Sequence, residues 1–184
     1  MTNNDAINKL KMAKLDANNH EACCVILENL ASELGTNLKQ KCWVLALAES
    51  CTGGMLSETM TSIIGSSAWF DRAFITYSNQ AKMDMLGVLE ETLTTCGAVS
   101  EIVAYEMALG AFQNSDASIA ASITGIAGPD GGSQNKPVGM VCFGFAFNNQ
   151  VVTTTQYFTG NRRQIRMLAS QYALTHLIQI VSRQ

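Results

Sequence analysis

Residues 43–54 read Trp-Val-Leu-Ala-Leu-Ala-Glu-Ser-Cys-Thr-Gly-Gly. The run from Trp43 to Ala48 is apolar without alternation, the pattern of a strand buried on both faces of a sheet. Small polar residues and two glycines follow it. From there Met55, Leu56, Met60, Ile63 and Ile64 fall near helical spacing, which predicts a helix over 55–64. The chain thus passes from a buried strand through a Ser/Thr/Gly turn into a helix. Such a turn aims backbone N–H groups and hydroxyls outward at the positive end of the helix. That geometry binds phosphate or carboxylate. Ordinary helix capping by Ser50 or Thr52 is the simpler use of the same residues.

The flanking sequence extends this alternation. Before the strand, Ala22, Val25, Ile26, Leu30, Leu34 and Leu38 share one face of a helix over 21–39, and Lys39-Gln40-Lys41 links it to the strand. Residues 1–20 read as a polar leader outside a domain spanning 21–184. After the turn, Arg72–Tyr77 is rich in strand formers. Ser78-Asn79 then caps a helix from Gln80 to Leu86, which Gly87 stops. A short helix at Glu90–Cys96, a longer one after Ser100 and a small-residue strand at 117–123 come next. The segment TGIAGPDGGSQNK (124–136) holds Gly125, Gly128, Gly131, Gly132 and a proline, and is predicted to be an irregular loop. Its apolar Ile126 and Ala127 mark it as packed rather than mobile. Segments 138–147 and 151–157 flank Asn148-Asn149 and read as a hairpin. A final helix over 162–181 places Ile165, Leu168, Ala169, Tyr172, Ala173, Leu177 and Ile180 on or near one face. Helices and strands that alternate and then end in a hairpin and a helix predict a single α/β domain, a three-layer α/β/α sandwich with a mixed sheet.

Composition excludes several classes of function. The chain has 184 residues, of which 47% are hydrophobic and 15% charged, so it can bury a full core. A net charge of −3 with no run of Lys and Arg argues against nucleic acid as a partner. No apolar segment reaches the ~18 residues that cross a bilayer, and the first 19 residues lack the apolar core of a secretory signal. Cysteines at 23, 24, 42, 51, 96 and 142 match no zinc spacing, and there are only two histidines, so no metal centre is expected. Several of these cysteines lie in apolar runs and read as buried free thiols of a cytoplasmic protein. Cys51, inside the turn, is a candidate nucleophile, but no histidine lies near it in sequence.

In open α/β sheets ligands bind beyond the C-terminal ends of the strands. Three polar loops follow predicted strands: Glu49–Gly54, Tyr77-Ser78-Asn79 with Lys82, and Thr124–Gly132. Parallel, neighbouring strands would bring all three into one pocket. Lys82 is the only lysine between Lys41 and Lys136. A lysine deprotonates a serine only when it is itself neutral, which requires burial or nearby positive charge. Ser50, Ser67 and Ser78 are its candidate partners, and the residue pattern does not choose among them. Tyr77 is a candidate proton relay or oxyanion donor. Arg162 and Arg166, one turn apart at the start of the last helix, oppose its dipole, and their forked guanidinium groups suit phosphate or carboxylate.

At these residues the chain resembles the CinA C-terminal-domain family, and within it the stand-alone nicotinamide-nucleotide amidases. The resemblance rests on AESCTGG (48–54), GSSAWFDRAFITYSNQAK (65–82), LGV (86–88), GAVSE (97–101), TGIAGPDGG (124–132), KPVGMV (136–141) and GNRRQIR (160–166). It covers the chain from about residue 23 onward. It implies an α/β/α fold, a homodimer, no metal or other cofactor, and hydrolysis of the carboxamide of nicotinamide mononucleotide to nicotinate mononucleotide and ammonia. It further implies a Ser–Lys pair assisted by a tyrosine, which by motif are Ser67, Lys82 and Tyr77. Ser50, Thr52, Gly53, Thr124, Gly125, Gly128 and Arg162 are implied to hold substrate. The chain departs from the family's frequent Gly-Asp-Arg at Gly160-Asn161-Arg162, which bears on how Arg162 is oriented. Longer members carry a further N-terminal domain with ADP-ribose hydrolase activity, which is not expected of this chain. Three rival classes find less support. A nucleotide-binding module without catalysis, acting through protein partners, would keep the same pocket, whereas a phosphoryl-transfer enzyme would need a GxxxxGK[ST] loop that is not present and a metal hydrolase would need clustered histidines and carboxylates.

Overall fold

The mixed sheet is built around β1 (Leu45–Glu49), whose five residues are all buried. In the computed structural model, which describes residues 20–184, the strand order is β2-β1-β3-β4-β5. Strand β2 (Phe70–Ile75) and β3 (Ile119–Gly125) both lie parallel to β1. Strands β4 (Met140–Phe147) and β5 (Gln150–Tyr157) are added antiparallel as a hairpin turned at Asn148 and Asn149, both at positive φ as a tight two-residue turn requires. The helices in chain order are α1 (His20–Gln40), α2 (Met55–Thr61), α3 (Asn79–Leu86), α4 (Glu90–Cys96), α5 (Glu101–Gln113) and α6 (Arg162–Arg183). The polar leader expected at 1–20 lies outside the described residues except for His20, which opens α1.

The two faces of the sheet are filled by different chemistry. On one face α1, α2 and α6 bury Leu30, Leu34, Leu56, Ile165, Leu174 and Leu177 against Leu45, Leu47, Phe143 and Phe145. Each such side chain removed from water contributes about 1.5–3 kcal/mol. On the other face the sheet presents Ala46, Ala48, Ala120 and Ala146 to Met107 and Ala108 of α5. These small residues let α5 lie almost on the strands. Ser122 donates to the Ala104 carbonyl, and a Cβ at Gly144 would stand 2.4 Å from that same oxygen. The three-layer α/β/α sandwich expected from the alternation of elements is the fold observed.

Several element ends differ from the expectation, β3 for instance running over 119–125 rather than 117–123, and two of the differences have local reasons. Helix α2 ends at Thr61 rather than Ile64, because Ile64 is 98% exposed and has no apolar face to extend. Strand β2 occupies 70–75 rather than 72–77. Past Ile75 the Thr76 amide still donates to the Glu49 carbonyl, but the carbonyls of Thr76 and Tyr77 turn away to a side chain, described below.

Candidate active site

Because β1, β2 and β3 run parallel, their C-terminal ends open on one edge of the sheet. The loops that leave them carry Ser50, Tyr77 and Thr124, and they converge as expected. Lys82 enters from α3. Ser78 is the N-cap of that helix, accepting from the Ala81 amide at 3.0 Å, and this fixes the first turn and aims Lys82 inward. Lys82 is 1% exposed. Its Nζ donates to the carbonyls of Thr76 at 2.8 Å and Tyr77 at 3.4 Å, and stands 3.0 Å from Ser50 Oγ. Burial among these neutral acceptors holds the Lys82 pKa below its ordinary value. The result is an amine biased toward its neutral form in hydrogen-bond contact with an alcohol.

These groups line a cavity of about 260 Å³. Tyr77 and Arg162 stand at its mouth, and Ala98, Val99 and Ala127 give it apolar walls suited to a flat ring. Arg162 ties the loops together: Nη1 donates to the Gly128 carbonyl at 2.9 Å and Nη2 to Tyr77 Oη at 3.1 Å. Gly128 meets this contact at a φ of 73° with the Val138 side chain against it, a position that excludes other residues. Thr124, buried, donates to the Ala98 carbonyl at 2.7 Å, so its oxygen remains an acceptor toward the cavity that it lines together with Gly125. Asn161, in place of the family's frequent aspartate, still closes a capping box on α6. Its side chain accepts from the Gln164 amide at 3.1 Å, and the Gln164 side chain accepts from the Asn161 amide at 2.7 Å. The start of α6, and Arg162 with it, is therefore set without the carboxylate.

Three expectations meet a different arrangement. Ser67 is not brought to this cavity. It is exposed, in a 3-10 turn at Ser66–Ala68 that precedes β2, and β2 runs from there toward the cavity. Six residues of strand at ~3.3 Å each separate the two ends by roughly 20 Å. The turn at 50–54 does not offer its amides to an outside anion. Glu49, fully buried at the end of β1, folds its carboxylate over them: Oε2 accepts from Gly54 N at 3.0 Å and Leu56 N at 3.2 Å, and Oε1 from Ser57 N at 2.7 Å and from Ser57 Oγ. The amides of Gly53 and Met55 are also taken, by the carbonyls of Ser50 and Thr52. Finally, neither Ser50 nor Thr52 caps α2, whose N-cap is Gly54, and the buried Thr52 hydroxyl has no hydrogen-bond partner among the described residues. Sequence reading passed over Glu49 because a lone carboxylate after an apolar run looks like a strand end meeting solvent.

Cys51 lies beside Ser50 but is not poised to react. Burial, above all, pushes its thiol up to about 12, so it stays protonated at neutral pH. Among the described residues no three His, Cys, Asp or Glu side chains are grouped so as to hold a metal ion. No helix among them is long and apolar enough to cross a membrane.

Comparison with known proteins agrees with the motifs. Residues 27–181 match the model of the CinA C-terminal domain. The chain is 53% identical over 149 residues to a nicotinamide-nucleotide amidohydrolase PncC of Enterobacter agglomerans, covering 80% of this chain and 91% of the relative. It is 51% identical over 154 residues to the protein of that name in Escherichia coli K12, covering 83% and 93%. Among solved structures it superposes on the competence/damage inducible protein CihA from Agrobacterium tumefaciens with a TM-score of 0.81 at 46% identity, covering 84% of this chain and 94% of the other. A fold, a set of strand-end loops and a sequence shared at this level make the chain a member of the CinA C-terminal-domain family.

Proposed function

We propose that the protein is a nicotinamide-nucleotide amidohydrolase, releasing ammonia from the carboxamide of nicotinamide mononucleotide through a Ser50–Lys82 pair. The observation that carries this reading is the 3.0 Å contact between Lys82 Nζ and Ser50 Oγ, made by a buried amine whose pKa is lowered. The relatives that bear this activity in their names, identical at 51–53% over nearly their whole length, support the substrate. Ser50 thus takes the nucleophile's role that the motif resemblance gave to Ser67.

Neutral Lys82 takes the Ser50 proton as Oγ bonds to the carboxamide carbon. Negative charge moves to the carboxamide oxygen, where Tyr77 Oη, which accepts from Arg162 and keeps its own hydrogen, and the Cys51 amide are candidate donors. The tetrahedral adduct collapses, the C–N bond breaks, and protonated Lys82 returns its proton to the departing nitrogen, giving ammonia and a Ser50 ester. Water then attacks the ester. Lys82 takes the water's proton and passes it to Ser50 Oγ as nicotinate mononucleotide leaves. The apolar Ala98, Val99 and Ala127 pack against the pyridine ring, while Thr124, Gly125, Gly128 and Arg162 orient it.

The test is ammonia release from nicotinamide mononucleotide, with and without a chelator. Release that survives chelation supports the metal-free Ser–Lys route. Release abolished by chelation and restored by metal refutes that route, and tight binding without release favours a nucleotide-binding module. The six cysteines form no disulfide, which supports a cytoplasmic setting. The homodimer implied by the resemblance is tested by light scattering.

A further inference from the structure

Among the described residues, the lining of the cavity that holds Ser50 and Lys82 includes two basic side chains, Lys82 and Arg162, and no carboxylate. The substrate read for it is a quaternary pyridinium, whose ring carries a permanent positive charge. A cation therefore has to enter a cavity that has no acid to receive it. The groups around Lys82 supply no counter-charge from behind. On the 50–54 turn, Cys51 has its thiol raised to about 12 by burial and is uncharged. At the end of β2 stand the neutral carbonyls of Thr76 and Tyr77, and the Tyr77 hydroxyl is held by Arg162. On α6, Arg162 and Arg166 are guanidinium cations. Glu49 at the end of β1 has its carboxylate occupied by the start of α2, and Glu106 of α5 accepts from the Leu89 amide and the Thr92 hydroxyl. On α3 itself, Asp84 accepts from Gln80 at the exposed surface.

We propose that the cavity accepts a cationic pyridinium carboxamide only when Lys82 is uncharged, so that the ring charge of the substrate drives the proton from the base that must activate Ser50. This rests on the amidohydrolase reading above for the identity of the substrate. Lys82 Nζ stands 3.0 Å from Ser50 Oγ. In the reacting complex that oxygen meets the carboxamide carbon, which is attached to the ring one atom away from the charged nitrogen. Ring charge and amine then lie within the ~4–6 Å over which like charges displace a pKa. On binding, the proton leaves Nζ for solvent, and the neutral amine keeps the Ser50 hydroxyl and the Thr76 carbonyl as neighbours. Burial already biases the amine toward its neutral form, and the ring completes the bias. The site is thereby selective for the charged ring over a neutral ring of the same shape in a pH-dependent way, and its base is activated by the substrate it acts on.

The test is calorimetric titration of the Ser50→Ala protein, which binds without turnover, with two ligands across a pH series. One is nicotinamide mononucleotide. The other is the C-linked ribotide of benzamide, which has carbon in place of the ring nitrogen and no ring charge. Both carry the same phosphate, so its ionisation cancels in the ratio of their Kd values. Below the pKa of the amine, that ratio is expected to move toward the charged ligand by close to tenfold per pH unit, then to level off above it. In Ser50→Ala with Lys82→Met the ratio is expected to stay within about twofold at every pH, because no proton remains to be displaced. In the wild-type protein, the acid limb of kcat is expected at least about one pH unit below that of kcat/KM, since the first reports the bound enzyme and the second the free one. A ratio that is constant from about pH 6 to 9 overturns the proposal. So does one that moves equally in the Lys82→Met protein, or the binding of neither ligand. If the wild-type protein releases no ammonia from nicotinamide mononucleotide, the amidohydrolase reading fails, and the ratio of the two ligands still decides whether ring charge and Lys82 exclude each other.

Discussion

Lys82 and Ser50 are 32 residues apart in sequence and 3.0 Å apart at their side-chain tips, and the contact is made by parallel strands that deliver both loops to one edge. Ser67, only 15 residues before Lys82, sits instead at the far end of β2. This separates the two serines experimentally. Ser50→Ala is expected to lower kcat for ammonia release by at least ~100-fold, the scale of losing a nucleophile, and Ser67→Ala to leave kcat within about twofold. Steady-state kinetics on the purified variants checks both. An active Ser50→Ala beside an inactive Ser67→Ala would remove Ser50 from the mechanism.

The pH dependence follows from which form of Lys82 works. Only the neutral amine accepts the Ser50 proton, and burial lowers the pKa of that amine from its ordinary value. Activity is therefore expected to be low in acid, to rise as pH climbs through the lowered pKa, and to reach half its plateau below about 10.4, the value of a solvated lysine. A pH profile of kcat/KM reads this limb directly. Lys82→Arg keeps a donor but remains charged at every accessible pH, so it should abolish the rise rather than shift it. A profile that is flat from pH 6 to 10 would contradict the role given to the amine.

Cys51 adjoins the nucleophile, yet its thiol is held near 12 by burial and so is almost wholly protonated at neutral pH. Cys51→Ala is expected to retain kcat within about threefold, since the change removes one sulfur from the wall and no reactive group. Loss of activity by orders of magnitude, matched by inactivation of the wild-type protein with iodoacetamide at pH 7, would move the nucleophile from oxygen to sulfur.

Much of this architecture is written locally in the chain. The apolar run at 43–48 marks the buried strand, observed at Leu45–Glu49, and the Asn148-Asn149 pair marks the turn of the hairpin. Convergence of the three loops followed from strand order, because βα connections put successive parallel strand ends on one edge. The partner of Lys82 did not follow. Three serines stand in polar loops with equal local warrant, and only the direction in which β2 runs removes Ser67 from the cavity. Likewise the 50–54 turn has the composition of an anion site, but whether the anion is a ligand or the protein's own carboxylate depends on the side-chain path of Glu49. Composition does not specify that path.

Glu49 offers the sharpest test of how the turn is held. Its two oxygens accept from three backbone amides and one hydroxyl at the start of α2, the Leu56 amide buried and the Gly54 and Ser57 donors half-buried. Glutamine fills the same volume but replaces one acceptor oxygen with an NH2 group. Whichever way that amide is turned, a donor faces the Ser57 amide and hydroxyl, or the amides of Gly54 and Leu56. An unsatisfied buried donor costs about 1–3 kcal/mol. Glu49→Gln is therefore expected to lower the unfolding free energy by about 2–4 kcal/mol in urea denaturation, one or two such donors being left unpaired. It is also expected to reduce kcat more than it raises KM, because the turn that loosens carries Ser50. Glu49→Ala would lose more stability, since it removes all four bonds. An unchanged urea midpoint in Glu49→Gln would mean that this carboxylate is not what keeps the Ser50 turn closed.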